Sequence, residues 1–242
     1  MISETFAIIR KNFLFYFVTV SLIIAAIILD DHFSHTSSQT TGFIWILLSR
    51  WTQVSMLYNR RFKDQGRQYY SLSKDLGFFG KNILIILLAT VSAIATAVYF
   101  GSNQGNFTGL VLIYGILFSL IVSSVLYALI GTWLPAGLYG SATRFGDALR
   151  RGSRTFAKTF ARIFIAMAIP AAISFIVTAL MFARGDSGSI FVAGVINFPS
   201  LVIAICLSTL EAVSVTYVSV VLTREYMRAE GLSVMPTLEA AT

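Results

Sequence analysis

The chain has 242 residues, of which 56% are hydrophobic and only 12% charged. A soluble domain carries roughly 25% charged residues, and one buried core cannot absorb a deficit of that size, so the composition excludes an ordinary soluble globule and requires lipid as a second apolar surround. The net charge of +7 sits in short segments between apolar runs, the pattern left by membrane insertion, so no nucleic-acid partner is expected.

Taken in chain order, residues 13–29, 41–60, 83–100, 109–134, 162–182 and 198–222 are apolar runs that can each cross the bilayer, since about 20 helical residues cover a ~30 Å hydrocarbon core. The first is longer than a signal-peptide core and leads into Asp30-Asp31-His32 with no small-residue cleavage site, so it reads as a retained helix. Lys and Arg alternate across these runs. Arg10 and Lys11 precede the first. Arg60, Arg61, Lys63, Arg67, Lys74 and Lys81 separate the second from the third. Arg144, Arg150, Arg151, Arg154, Lys158 and Arg162 separate the fourth from the fifth, and Arg224 and Arg228 follow the sixth. Of the remaining two, Arg184 lies between runs five and six and Arg50 lies within run two. An excess of basic residues marks the cytoplasmic side. The expected fold is therefore all-α integral membrane, with six transmembrane helices, both termini cytoplasmic, and residues 30–40, 101–108 and 183–197 outside. Residues 1–228 form the membrane domain, and 229–242, polar and interrupted by Gly231 and Pro236, form a short disordered cytoplasmic tail. Cys206 is the single cysteine, so no disulfide framework exists.

Lys11-Asn12-Phe13-Leu14-Phe15 resembles Lys81-Asn82-Ile83-Leu84-Ile85, seventy residues later, and Arg162-Ile163-Phe164-Ile165 is a third copy lacking the Asn. Each opens an odd-numbered run after an amphipathic stretch. This pattern fits three two-helix repeats, each with an amphipathic helix on the inner surface. It also fits the plainer reading that any basic-to-apolar boundary looks alike. The Pro-acidic-basic signature of mitochondrial carriers is absent around Pro135, Pro170, Pro199 and Pro236.

Arg50 and Glu211 are the ionisable pair nearest mid-span, of opposite sign and similar depth. A charge at the bilayer centre costs ~2.5–3.5 kcal/mol and normally faces a partner or water. An Arg50–Glu211 pair is expected, with Ser49, Thr52 and Gln53 beside the first, Ser208 and Ser214 beside the second, and Ser119, Ser123 and Ser124 at comparable depth. Gln53, Ser123, Ser208 and Ser214 would line a polar centre. It is either a substrate or proton site or a buried pair that fixes two helices. Residues 144–160 place Phe145, Leu149, Phe156 and Phe160 at near-helical spacing, with Arg150, Arg151, Arg154 and Lys158 on other faces. Such a helix would lie in the inner interface and hold anionic lipid headgroups. The outer segment Asp30-Asp31-His32-Phe33-Ser34-His35 reads as a solvated loop, and no metal or cofactor is expected. Asn106-Phe107-Thr108 is a glycosylation sequon, and Ala89, Ala93 and Ala97 form a small-residue stripe suited to close helix packing. No nucleophile elbow, phosphate-binding Gly loop or His-Glu-x-x-His is present.

Ala148-Leu149-Arg150-Arg151-Gly152-Ser153, after the Gly- and Pro-marked end of run four, resembles a segment of a bacterial six-helix inner-membrane family. That family is also the membrane domain of glycerophosphodiester phosphodiesterases. The resemblance implies a bacterial inner-membrane location and a membrane partner or scaffold, and it transfers no catalytic residue. The expected function is a non-enzymatic scaffold, assembly or lipid-binding subunit, partnered by membrane lipids, anionic on the cytoplasmic face, and by another membrane protein. The alternative is a small transporter or channel centred on Arg50 and Glu211.

Overall fold

The computed structural model describes residues 1–33, 38–64, 71–102, 109–140, 144–184, 188–192 and 195–232. In chain order these form α1 (Ile2–Lys11), α2 (Phe13–Phe33), α3 (Ser38–Tyr58), a 3-10 turn (Phe62–Asp64), α4 (Leu72–Ser102), α5 (Gly109–Ile130), α6 (Trp133–Tyr139), α7 (Phe145–Ala183), β1 (Phe191–Val192), β2 (Val195–Ile196) and α8 (Phe198–Ala229). Among the described residues the protein is all-α except for the antiparallel pair β1–β2, which joins Phe191 with Ile196 and Val192 with Val195 in a segment expected to be plain loop.

Among the described residues, α2, α4, α7 and α8 are long and apolar enough to cross a membrane, and α5 with α6 makes a fifth if that bent pair is one span. The outward faces fit this. Phe13, Leu14 and Phe17 on α2 are 67%, 75% and 61% exposed, an apolar surface that water would penalise and lipid would not. The second expected span, α3, falls outside this group. Its 21 residues include Gln39, Thr40, Thr41, Ser49, Arg50, Thr52 and Gln53.

Two expected boundaries move for identifiable reasons. Run 109–134 is not one helix, because the chain bends by 44° between α5 and α6. Pro135 has no N–H to offer the Gly131 carbonyl, and its ring clashes with that carbonyl in a continuous helix. The helix restarts at Trp133 and stops on Gly140, whose φ of 89° lets the C-cap N–H reach the Ala136 carbonyl. Residues 144–160 are not a separate surface helix either. From Phe145 on they are the first part of α7, which runs unbroken for 39 residues with Pro170 inside it. No glycine or proline separates Phe160 from Ile163, so nothing ends the helix where the amphipathic stretch meets the apolar one.

The chain divides into two compact units. Unit 1 holds Met1–Asp64 with Ala168–Val220, and unit 2 holds Gln65–Met167 with Val221–Met235. Unit 1 packs Ile8, Tyr16, Leu48, Phe62, Ala212 and Val220 into one cluster, with Phe15 edge-on to both Trp51 and Phe62 at 4.3 and 4.9 Å between centroids. Unit 2 packs α4 against α5 and α6. Of the small-residue stripe on α4, Ala89 is buried and Ala93 half-buried, and the Ala97 side chain lies outside the described residues.

Candidate functional site

The polar centre of unit 1 is built by α3 and α8. On α8, Ser208, Ala212, Thr216 and Ser219 recur at helical spacing and all are buried, a face of small residues that allows close approach. On α3, Leu48, Arg50, Thr52, Gln53 and Val54 are buried. Every hydrogen bond that follows consumes a polar group within the protein. Tyr16 Oη lies 2.7 Å from Thr216 Oγ1, which donates to the Ala212 carbonyl at 2.7 Å. Thr52 Oγ1 donates to the Leu48 carbonyl at 2.9 Å. Gln53 Nε2 donates to Ser49 Oγ at 3.2 Å, and Ser219 Oγ sits 2.8 Å from Ser49 Oγ. Back-bonding of this kind lets Thr and Ser sit inside an apolar helix without an orphan hydroxyl.

The structure places the sequence-predicted residues unevenly. Arg50 is 3% exposed, and Gln53 and Ser208 are buried. Glu211 and Ser214 are half-buried on α8. The Glu211 carboxyl takes a hydrogen bond from the Trp45 side chain. Arg50 lies on α3 and Glu211 on α8, both within unit 1. Ser123 is half-buried and belongs to unit 2. Asp31, expected in a solvated loop, lies at the end of α2, and its carboxylate accepts the Ile190 N–H just before β1. His35, the sequon at 106–108 and the tail beyond residue 232 lie outside the described residues.

Asn12 was legible only as part of a repeat, yet it organises the entry to α2. Its Nδ2 donates to the Ile8 carbonyl at 2.9 Å and its Oδ1 accepts the Phe62 N–H at 2.9 Å, a link across fifty residues. The Asn82 side chain repeats half of this, donating to the Phe78 carbonyl at 3.1 Å, while Tyr127 Oη donates to its Oδ1 at 3.4 Å.

In unit 2 the basic segment of α7 splits into two populations. Arg150, Arg154 and Lys158, spaced by four, are exposed. Arg151 is not part of that stripe: its side chain is 12% exposed, pairs with Glu230, and lies over the Tyr226 ring at 5.4 Å. The buried face is the small one, Ala148, Gly152, Thr159 and Ile163, whereas Phe145 and Leu149 are exposed. A Cβ at Gly152 would collide with the Leu129 and Ala128 carbonyls, so glycine here lets α7 lie directly on the end of α5. Phe156, Phe160 and Phe164 stack along one side with centroids 5.6 Å apart at each step.

Sequence reasoning passed over Glu225, whose side chain is 2% exposed and is held by Arg228 at 3.0 Å and Arg162 at 3.4 Å. The signal was present in Arg224-Glu225-Tyr226-Met227-Arg228, an acid flanked by bases one helical turn past the apolar run. Among the described residues no group of three His, Cys, Asp or Glu side chains could hold a metal ion. No family model, curated protein or solved structure matches the chain.

Proposed function

We propose that the protein is a non-enzymatic integral membrane protein of the bacterial inner membrane, acting as a scaffold, assembly or lipid-binding subunit. The observation that carries this is the consumption of polar groups in unit 1. The hydroxyls of Tyr16, Thr52, Thr216 and Ser219 bond to one another or to their own helix backbones, while the exposed helix faces are apolar. Hydroxyls spent in this way hold helices together and are not poised toward a substrate. Arg150, Arg154 and Lys158 are the proposed contacts to anionic headgroups, at ~1 kcal/mol per basic residue near the surface.

The proposed topology has six spans in three two-helix units, with both termini cytoplasmic. Besides α2, α4, α7 and α8, it takes α5 with α6 as the fourth span and α3 as the second. Burial of Arg50, Thr52 and Gln53 supports α3, because a span whose polar side chains face protein need not be apolar all round. Lys11-Asn12 and Lys81-Asn82 with their matching side-chain bonds support the repeat.

Single-cysteine labelling on a Cys206→Ser background tests both parts. Position 104 should react from outside and position 64 should not, and the reverse would sink the topology. Gln53→Cys should resist a small water-soluble thiol reagent. The observation favouring the transporter reading is Gln53 Oε1, which is buried with no hydrogen-bond partner among the described residues and is a natural acceptor for water. Rapid labelling of Gln53→Cys, blocked by substitution of Glu211, would replace the scaffold reading with a water-filled site around Arg50 and Glu211.

A further inference from the structure

Unit 1 contains a groove of about 440 Å³ between α2 and α8, lined at one end by Ile9 of α1 and running along α2 to Ile28. We propose that this groove holds one acyl chain of an anionic phospholipid, with the headgroup at Arg10 and Lys11. The proposal deepens the lipid-binding reading above, on which it rests, and assigns it a second place apart from the basic stripe on α7.

Dimensions decide between occupants. From Phe13 to Ile28 the helix rises about 22 Å at 1.5 Å per residue, longer than one leaflet of a ~30 Å hydrocarbon core. Spread over that length, 440 Å³ gives a mean cross-section of roughly 20 Å², about 5 Å across. Widening this by a 1.4 Å water radius on every side gives about 8 Å. A helix with its side chains is about 10–12 Å thick, so a partner helix would rest on the rim of the groove, whereas a single hydrocarbon chain fits within it.

The lining agrees. Phe13, Phe17 and Ile28 on α2 and Ile205 and Val213 on α8 form the walls, and Ala25 gives the space. The Thr209 hydroxyl donates to the Ile205 carbonyl at 2.7 Å, and Tyr16 Oη is bonded to Thr216. Those polar atoms are spent within the protein, and Ser21 adds one hydroxyl to an otherwise apolar lining, so the interior favours a chain over a polar ligand. The two ends differ in charge. Arg10, exposed, and Lys11 stand beside Ile9 and Phe13, whereas Asp30 and Asp31 follow Ile28 and Leu29. An anionic headgroup is attracted to the first end and repelled at the second, which sets the direction in which the lipid enters.

The full-length protein, stripped of lipid in detergent and offered phosphatidylglycerol or phosphatidylcholine in mixed micelles, provides the test, with retained lipid counted by native mass spectrometry. Wild type should retain phosphatidylglycerol after washing. Ser21→Phe with Ala25→Phe, two exposed groove positions, should lose it, and Leu22→Phe, exposed outside the groove, should keep it. Ala25→Leu alone should give a partial loss if the double variant fails to fold. Arg10→Gln should lower the preference for phosphatidylglycerol over phosphatidylcholine by about fivefold, equivalent to ~1 kcal/mol. Equal retention by the filled-groove variants, or a fall in oligomeric state with retention unchanged, would overturn the proposal. Release of the chain from membranes by alkaline carbonate would instead overturn the membrane reading itself.

Discussion

Asn12 in unit 1 and Asn82 in unit 2 follow the same lysine and precede the same kind of apolar run, yet the first ends a helix and the second lies inside one. Both side chains bond the carbonyl four residues back, so the local motif is shared. The side-chain amide oxygen makes the difference. Asn12 Oδ1 is taken by a backbone N–H, that of Phe62, and its backbone has left the helical region at φ −120°, ψ 28°. Asn82 Oδ1 is approached by the Tyr127 phenol at 3.4 Å, a longer bond from a side chain that can adjust, and α4 continues through it. An Asn within a helix offers the backbone an alternative partner. Whether the helix yields depends on what it meets across the unit.

The largest expected effect sets the tightest packing of unit 2 against an open position of unit 1. Gly152→Val forces side-chain carbons into the Leu129 and Ala128 carbonyls and should destabilise by about 3 kcal/mol, the upper range for overpacking. Gly42→Ala in α3 meets nothing within 4 Å and should stabilise by up to ~1 kcal/mol through helix propensity. Thermal unfolding in detergent reads both. A harmless Gly152→Val would mean that α7 and α5 do not approach as closely as described.

The asparagines come next. Asn12→Leu leaves the buried Phe62 N–H without its acceptor and should cost about 2 kcal/mol, within the penalty for an orphaned buried group. Asn82→Leu removes a long contact from a rotatable phenol and should cost about 1 kcal/mol. Tyr16→Phe, which deletes the bond to Thr216 but leaves Thr216 bonded to Ala212, should cost about 1 kcal/mol as well. Equal losses at Asn12 and Asn82 would erase the distinction between the units and strengthen a strict repeat.

The apolar runs, the amphipathic first helix and the Lys-Asn recurrence were legible because each is a pattern along one helix. What the sequence hid was of two kinds. Breaks caused by a single residue, such as Pro135 acting on the Gly131 carbonyl, are overridden by hydropathy averaged across a run. Partner choice is the other kind. The Glu211 carboxyl meets Trp45, a contact that charge and estimated depth along each helix do not reveal. Along residues 144–160 the side that packs inside is the small one, Ala148 and Gly152, while Phe145 and Leu149 are exposed, and small residues carry little hydropathy signal.

The smallest expected effect separates basic residues that composition treats as equal. Arg151 and Arg154 lie on one helix three residues apart, one against Tyr226 and Glu230 and the other exposed. Arg151→Gln forfeits the partly exposed ion pair and the contact with the Tyr226 ring, together about 1 kcal/mol. Arg154→Gln touches no such partner among the described residues and should change stability by less than about 0.5 kcal/mol, while reducing association with vesicles rich in phosphatidylglycerol. Arg151→Gln should leave vesicle association nearly unchanged. The prediction is therefore a crossed pattern in two assays, melting temperature for one residue and lipid association for the other. If both substitutions moved both readouts alike, α7 would present its arginines as one undivided surface, and the separation between a residue that holds the fold and a residue that meets the membrane would fail.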